Sequence, residues 1–269
     1  MATEIIAGPL GERRGATTAG GGTALSTTAT FVQLPPWTAH IQALFRNFSQ
    51  TAIGKLALNP WLVVLKTTDN MTSEPFDYSV AAQDASTSTD VDVSALSTLA
   101  NGDFLLVGSH IPFRGVYIDV DASNGAGTAT LSVYYYADTW TNASATDGTF
   151  STMTFAQDGL VYWTVPTTWQ AKRLIDLYPS IPPRYYTHTP LFWTRWSVSA
   201  ALTDTSITFN SMVAANRSTS YAEYLPYEVL EEVINHGFGG VGCIEALVSA
   251  GTANLIVRAF TRSGGKFVS

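Results

Sequence analysis

The chain carries little charge. Of its 269 residues only 13% are Asp, Glu, Lys or Arg, whereas 46% are hydrophobic. That is about half the usual charged share. An isolated monomer carries more surface charge than this to stay dispersed, so the composition points to a surface covered in part by other subunits. Cations are the scarcer sign. Fourteen Lys and Arg against 21 Asp and Glu leave a net charge of −7, with no basic cluster. Nucleic acid, whose phosphates demand a basic face, is thereby excluded as a partner.

Cysteine occurs once, at Cys243, which excludes an internal disulfide. With only four histidines in the chain, a zinc cluster is excluded as well. No apolar run reaches the roughly 18 residues that a membrane-spanning helix needs, so no membrane partner is expected. The N-terminus, MATEIIAGPLGERRG, has no cationic start followed by an apolar block. No secretory signal is expected, and with a single cysteine the chain is expected either to be made in a reducing cytoplasm or to be indifferent to the redox state around it. The sequons at Asn47, Asn70, Asn142 and Asn216 are then chance matches in a Ser/Thr-rich chain.

Large apolar side chains are nearly missing from residues 7–28, which are mostly Gly, Ala and Thr. Such a segment cannot bury enough surface to order itself, so residues 1–28 are expected to form a flexible arm. From Thr30 onward short apolar runs alternate with polar residues and are punctuated by Pro, Gly, Asn and Asp. This pattern predicts strands near 29–34, 38–46, 51–57, 61–67, 103–108, 113–121, 127–137, 159–165, 191–200 and 205–213. In GVYIDVDA, Val116, Ile118 and Val120 share one face. SNGAG (123–127) then suggests a hairpin into TATLSVYYY. FWTRWSVSAAL sets Trp193, Arg195 and Ser197 opposite Phe192, Trp196 and Val198, with TDTSITFNSM following at hairpin distance. Many short strands and almost no helical periodicity predict an all-β protein, with residues 29–218 forming an antiparallel β-sandwich of jelly-roll type.

Residues 219–269 are expected to form a small C-terminal assembly unit. LPYEVLEEVINHG (225–237) has Pro226 in its first turn, an apolar stripe of Val229, Leu230, Val233 and Ile234, and Gly237 past its end, which predicts a helix. A β-hairpin over 240–262, turning at 250–253, is expected to follow. A two-stranded ribbon leaves an edge open, so this hairpin is expected at a subunit contact of a three-fold or six-fold homo-oligomer. No internal repeat of fixed period occurs.

The ordered set FLLVGSHIPFRGVYIDVD, LSVYYYADTWTNASATDGT, GLVYWTVPTTWQ and LFWTRWSVSAALTDTSITFNSM resembles a recurring region of tailed-bacteriophage structural proteins. It spans roughly 103–213, and its specificity lies in the order of the pieces. The resemblance implies a virion component with a β-sandwich: capsid decoration, neck, tail or fibre. Its partners would be other virion structural proteins and further copies of itself.

Candidate chemistry is sparse. The aromatic stretch 131–170 reads first as core or interface, because rings bury large areas and suit antiparallel sheets. The functional alternative is a carbohydrate platform in which a surface glycan stacks on Trp140, Trp163 or Trp169. His40, His110, His188 and His236 lie far apart in sequence, without a partner in a nucleophile motif. Glu74 and Asp77 are the nearest acidic pair for glycoside hydrolysis, and SEPFDYS also reads as a turn. Asp119, Asp121 and Asn124 offer oxygen ligands for calcium, but no acid stands at the closing position, where Thr130 lies, and a turn explains the same letters. Cys243 sits in an apolar strand pattern and reads as a buried hydrophobe. No catalytic, cofactor or metal residue is assigned. The expectation is a non-enzymatic virion protein, ahead of a carbohydrate- or receptor-binding fibre module and a glycan-degrading enzyme.

Overall fold

The computed structural model describes residues 22–260 apart from 37, 85, 87, 205 and 217–219, together with the backbone of 5–7 and 15–18. The chain divides into two compact units, one made of residues 1–59 and 219–269 and the other of residues 60–218.

The first stretch supplies β1 (Ile5–Ala7), β2 (Gly15–Thr18), β3 (Thr23–Leu25), β4 (Thr30–Gln33), β5 (His40–Arg46) and β6 (Gly54–Pro60). The middle stretch opens with β7 (Val63–Thr67), β8 (Phe76–Asp77), β9 (Val91–Asp92), β10 (Phe104–Ser109), β11 (Gly115–Ala122) and β12 (Leu131–Ala137). It continues with β13 (Thr139–Asn142), β14 (Thr146–Asp147), β15 (Gly159–Tyr162), β16 (Ala171–Lys172), β17 (Leu191–Val198) and β18 (Thr208–Ala215). The last stretch holds β19 (Ala222–Tyr224), β20 (Val229–Val233), β21 (Val241–Val248) and β22 (Ala253–Phe260). Among the described residues, helix is limited to a 3-10 turn at Leu99–Asn101 and one turn, α1, at Leu174–Leu177. None is long and apolar enough to cross a membrane. The protein is all-β with antiparallel sheets, and the ten strands expected between 29 and 213 all form close to their expected spans.

In the 60–218 unit, a sheet ordered β13-β12-β17-β10-β7-β8 faces a sheet ordered β14-β15-β11-β18-β9. Alternate residues of both sheets meet in one core, among them Val64, Leu105, Val107, Val133 and Trp196 from the first and Val116, Ile118, Val161 and Phe209 from the second. Lys66, almost fully buried, comes from β7 and donates at 3.0 Å to the main-chain carbonyls of Asp92 and Ser94. Burial pushes its ammonium below the ordinary lysine value, against the pull of Asp92 and Asp103. The first sheet is covered on its other face too. Val63, Leu65, Phe104, Leu106 and Trp193 pack there against Leu174, Ile181 and Tyr186. Hence every residue of β7 and β10 is buried, and the period-2 signal is lost in FLLVGS. On that face Gly108 pairs across the ladder with Trp193, whose indole lies so close that a Cβ would meet it at 2.5 Å.

The terminal unit is a second pair of sheets, ordered β1-β2-β22-β5-β20, with β3 also on β22, and β19-β6-β21-β4. Its core includes Leu25, Val32, Ile41, Phe45, Leu56, Ile244, Leu255 and Val257. Three expectations change here. The segment 1–28, read as a flexible arm, contains paired strands: β2 runs along Arg258–Phe260 and β3 along Ala253–Leu255, with Leu25 only 2% exposed. Residues 1–4, 8–14 and 19–21 of that segment lie outside the described residues. The strands were invisible locally because their partner lies some 230 positions away in sequence.

The helix expected over 225–237 is instead a turn followed by β20, which pairs with β5 from Val229↔Leu44 to Val233↔His40. Its valines suit a pleated surface, and tertiary pairing decides between two patterns that the letters fit equally.

The hairpin expected over 240–262 is an arch, since β21 and β22 belong to different sheets. Both edges of each strand are paired within the chain: β21 lies between β6 and β4, and β22 between β5 and the N-terminal strands. The edge expected there is therefore not open. The same holds for the connections β11–β12 and β17–β18, which also pass from one sheet to the other.

Candidate functional site

The aromatic stretch distributes its rings over both faces of one sheet. Tyr134 and Tyr136 point to the outer face and Tyr135 to the core face, as period-2 alternation in β12 requires. On the outer face the Arg195 guanidinium sits 4.7 Å from the ring centre of Trp140, 5.5 Å from Tyr134 and 5.8 Å from Phe104. A cation packed among rings in this way is held by their quadrupoles and by contact area. On the core face Trp169 touches Phe113, Tyr135, Trp163 and Phe192 with centroids 5.3 to 6.4 Å apart. Trp163 and Trp169 are 4% and 6% exposed, so neither offers a ring face as a platform. Trp140 is half-buried beneath Arg195 and Tyr136.

The same stretch shapes a depression of about 540 Å³ at the tip of β12–β13 and the loop before β16. Tyr135 and Trp169 form its aromatic wall, with Asp138, Thr141, Thr168 and Gln170 around it. Asp138 reverses the chain between β12 and β13 with φ at +60°, a conformation that Asp tolerates because its short side chain bonds locally. Gln170 is fixed twice. Its main-chain N–H donates to the Tyr136 carbonyl at 2.9 Å, and its side-chain amide donates to Asp138 Oδ1 at 2.9 Å. The Tyr135 hydroxyl lies 3.4 Å from Thr168 Oγ1. Asp138 and Gln170 carry no sequence motif. Their only signal is a turn acid between two aromatic strands, and Gln170 meets it from 32 positions away.

The remaining candidates are dispersed. Glu74 accepts from Nε and Nη2 of Arg184, a side-on pair that holds its carboxyl below the usual range, and Asp77 accepts from the Tyr185 hydroxyl at 3.0 Å. These two acids clasp the 184–185 segment. Asn124 is 2% exposed and donates to the Thr154 carbonyl, while Asp121 accepts from Thr208. Burial, then Asp158, pushes the Asp119 carboxyl up. Among the described residues no group of three or more His, Cys, Asp and Glu is placed to hold a metal ion.

His40 stacks on Phe260 at 5.3 Å and pairs with Glu231 at 3.1 Å, whereas burial lowers His110 and His236. His188 belongs to the 60–218 unit, near Asp176, whose carboxyl it helps to lower behind the larger effect of Arg173. Cys243 is fully buried and its thiol is pushed up by desolvation, the opposite of an activated nucleophile. Beside it lies a polar group that sequence reading passed over. Buried Glu245 accepts from Asn59 at 3.0 Å and from the Tyr221 hydroxyl at 2.6 Å. Arg13 and Arg14, a pair whose sequence reads by default as solvated charge and otherwise as a contact for an acidic neighbour, lie outside the described residues.

Comparison with protein-family models, with curated proteins and with solved structures finds no match for this chain.

Proposed function

We propose that the protein is a non-enzymatic structural component of a tailed-bacteriophage particle, a capsid decoration or neck/tail accessory protein made in the host cytoplasm. It acts by self-assembly and by contacts with neighbouring virion proteins. The observation that carries this reading is the ordered motif set of 103–213, whose pieces fall on β10 to β18 of a single sandwich unit. We assign that unit to the jelly-roll type. In its sheets β9-β18-β11-β15 stand against β10-β17-β12-β13, and an architecture of this kind recurs in viral shells. The low charge supports a surface that assembly covers. So do the exposed Leu225, Tyr227, Val229 and Val233 on and beside edge strand β20, a strand whose outer backbone groups invite a partner.

The test is the chain's copy number and place in purified particles, by quantitative mass spectrometry and antibody labelling. A fixed, symmetric copy number at one location is expected. Absence of the chain from intact particles overturns the proposal.

A further inference from the structure

We propose that the depression beside Tyr135 is a binding site for a neutral carbohydrate. This inference goes beyond the structural role and does not depend on it.

The lining selects the ligand by its chemistry. It presents the hydroxyls of Tyr135, Thr141, Thr167 and Thr168, the amide of Gln170 and the single carboxylate of Asp138. No cationic side chain lines it, so phosphate, sulfate and uronic acids would meet a lone negative charge without compensation. Its walls are broken by polar groups, so an acyl chain would strip water from them without replacing the hydrogen bonds. A sugar answers both conditions. Its vicinal hydroxyls can bridge a carboxylate acceptor and an amide, and a C–H face can lie against the half-buried Tyr135 ring. The volume of about 540 Å³ lies within the range of small-ligand sites, roughly 300–1,000 Å³.

The polar pair is also held in advance. Asp138 and Gln170 bond to each other at 2.9 Å, and the Gln170 backbone is tied to Tyr136 at the same distance. Little side-chain freedom remains to be lost on binding, which removes one of the main costs of association. The Tyr135 ring is likewise braced from behind, packing edge-on against Trp169 at 6.4 Å. The Trp-platform idea placed the sugar on Trp140, Trp163 or Trp169; the geometry moves it to the rim where Tyr135, Asp138 and Gln170 meet.

The test is isothermal titration of the full chain with maltohexaose, cellohexaose, xylohexaose and the N-acetylglucosamine tetramer, with dextran sulfate as an anionic control. At least one neutral oligosaccharide should bind with a Kd below about 10 mM, and dextran sulfate should not compete. Gln170→Ala and Asp138→Ala should each weaken binding about tenfold, the loss of one hydrogen bond to a charged or fixed partner. Tyr135→Phe, which keeps the packed ring, should weaken it less and leave the melting temperature within a few degrees. The inference is overturned if no neutral oligosaccharide of the panel binds. It is equally overturned if dextran sulfate displaces the bound sugar, or if Gln170→Ala and Asp138→Ala, both folded by circular dichroism, bind as the parent does.

Discussion

The indole Nε1 of Trp169 donates to the main-chain carbonyl of Trp193 at 3.1 Å, so a ring on the core side of the sheet is pinned by a strand whose own ring faces outward. Trp193 returns a bond of the same kind, its Nε1 donating at 2.9 Å to the Lys172 carbonyl. Between these two bonds, β16 is clipped onto the end of β17. Trp193 and Trp196 are fully buried and Trp163 nearly so. Each replaced by Ala should cost about 3–5 kcal/mol, because a large ring leaves a cavity that collapses only in part. Chemical denaturation followed by near-ultraviolet circular dichroism measures this. Three variants melting like the parent would contradict the packing described.

Gly108 makes room for Trp193. A Cβ added there would stand 2.5 Å from the indole, which is fully buried in a cluster with Leu174 and Tyr186. Gly108→Ala should therefore destabilise the 60–218 unit by about 1–3 kcal/mol through overpacking, although alanine suits a strand better than glycine does. A neutral or stabilising result would mean that the indole can move aside.

Leu25 belongs to a segment that looks featureless, and yet it is a core residue of the terminal unit. Leu25→Ala should cost about 2–5 kcal/mol, as for other buried leucines. Deletion of residues 1–28 should lower the melting temperature as well, because it bares the edge of β22 along Ala253–Leu255. A truncated chain that melts with the parent would restore the view of the whole segment as a flexible arm.

Asp69 and Asp119 should respond to pH in opposite senses. Hydrogen bonds from Ser73, Thr72 and Thr67 lower the Asp69 carboxyl to about 2 against an ordinary value of 3.8. Its folded value is depressed, so its stabilisation is present above the ordinary value and is lost as pH falls through the folded one. Asp69→Asn should thus melt earlier than the parent at pH 7, with the difference shrinking toward pH 2. Burial, then Asp158, raises Asp119. Its contribution is full below the ordinary value and is lost as pH rises through the folded one. Asp119→Asn should melt later than the parent at pH 7 and no later in acid. Thermal scans between pH 2 and pH 8 decide both; parallel curves for either variant would contradict the corresponding environment.

Self-assembly, if it runs through the sheet edge, should depend on β20. Tyr227 and Val233 are 70% and 78% exposed, and neither supports the core. Tyr227→Lys or Val233→Lys should lower the mass of a three-fold or six-fold oligomer in size-exclusion light scattering while changing stability by less than about 0.5 kcal/mol, as for surface substitutions elsewhere. Oligomers that persist undiminished in the double variant would place the contact on another surface.

The alternation of apolar and polar residues determined by itself that this chain is built of antiparallel strands, and it located most of them. Val116 and Ile118 turn one way because the side-chain period of a strand is two, and nothing distant can alter that. It also told Tyr134 and Tyr136 from Tyr135 by face. Which sheet each strand would join was decided only in three dimensions. A strand whose neighbour in sequence lies beside it and one whose neighbour lies across the core carry the same alternation, because both bury one face. For that reason β11–β12, β17–β18 and β21–β22 read as hairpins and are arches. Residues 225–237 read as a helix until β5 offered Val229 to Val233 a ladder of hydrogen bonds. The depression beside Tyr135 was hidden on the same ground. Asp138 and Gln170 are ordinary turn and loop letters, and they become a pair only because β16 is laid along β17, next to the strand whose turn holds the acid.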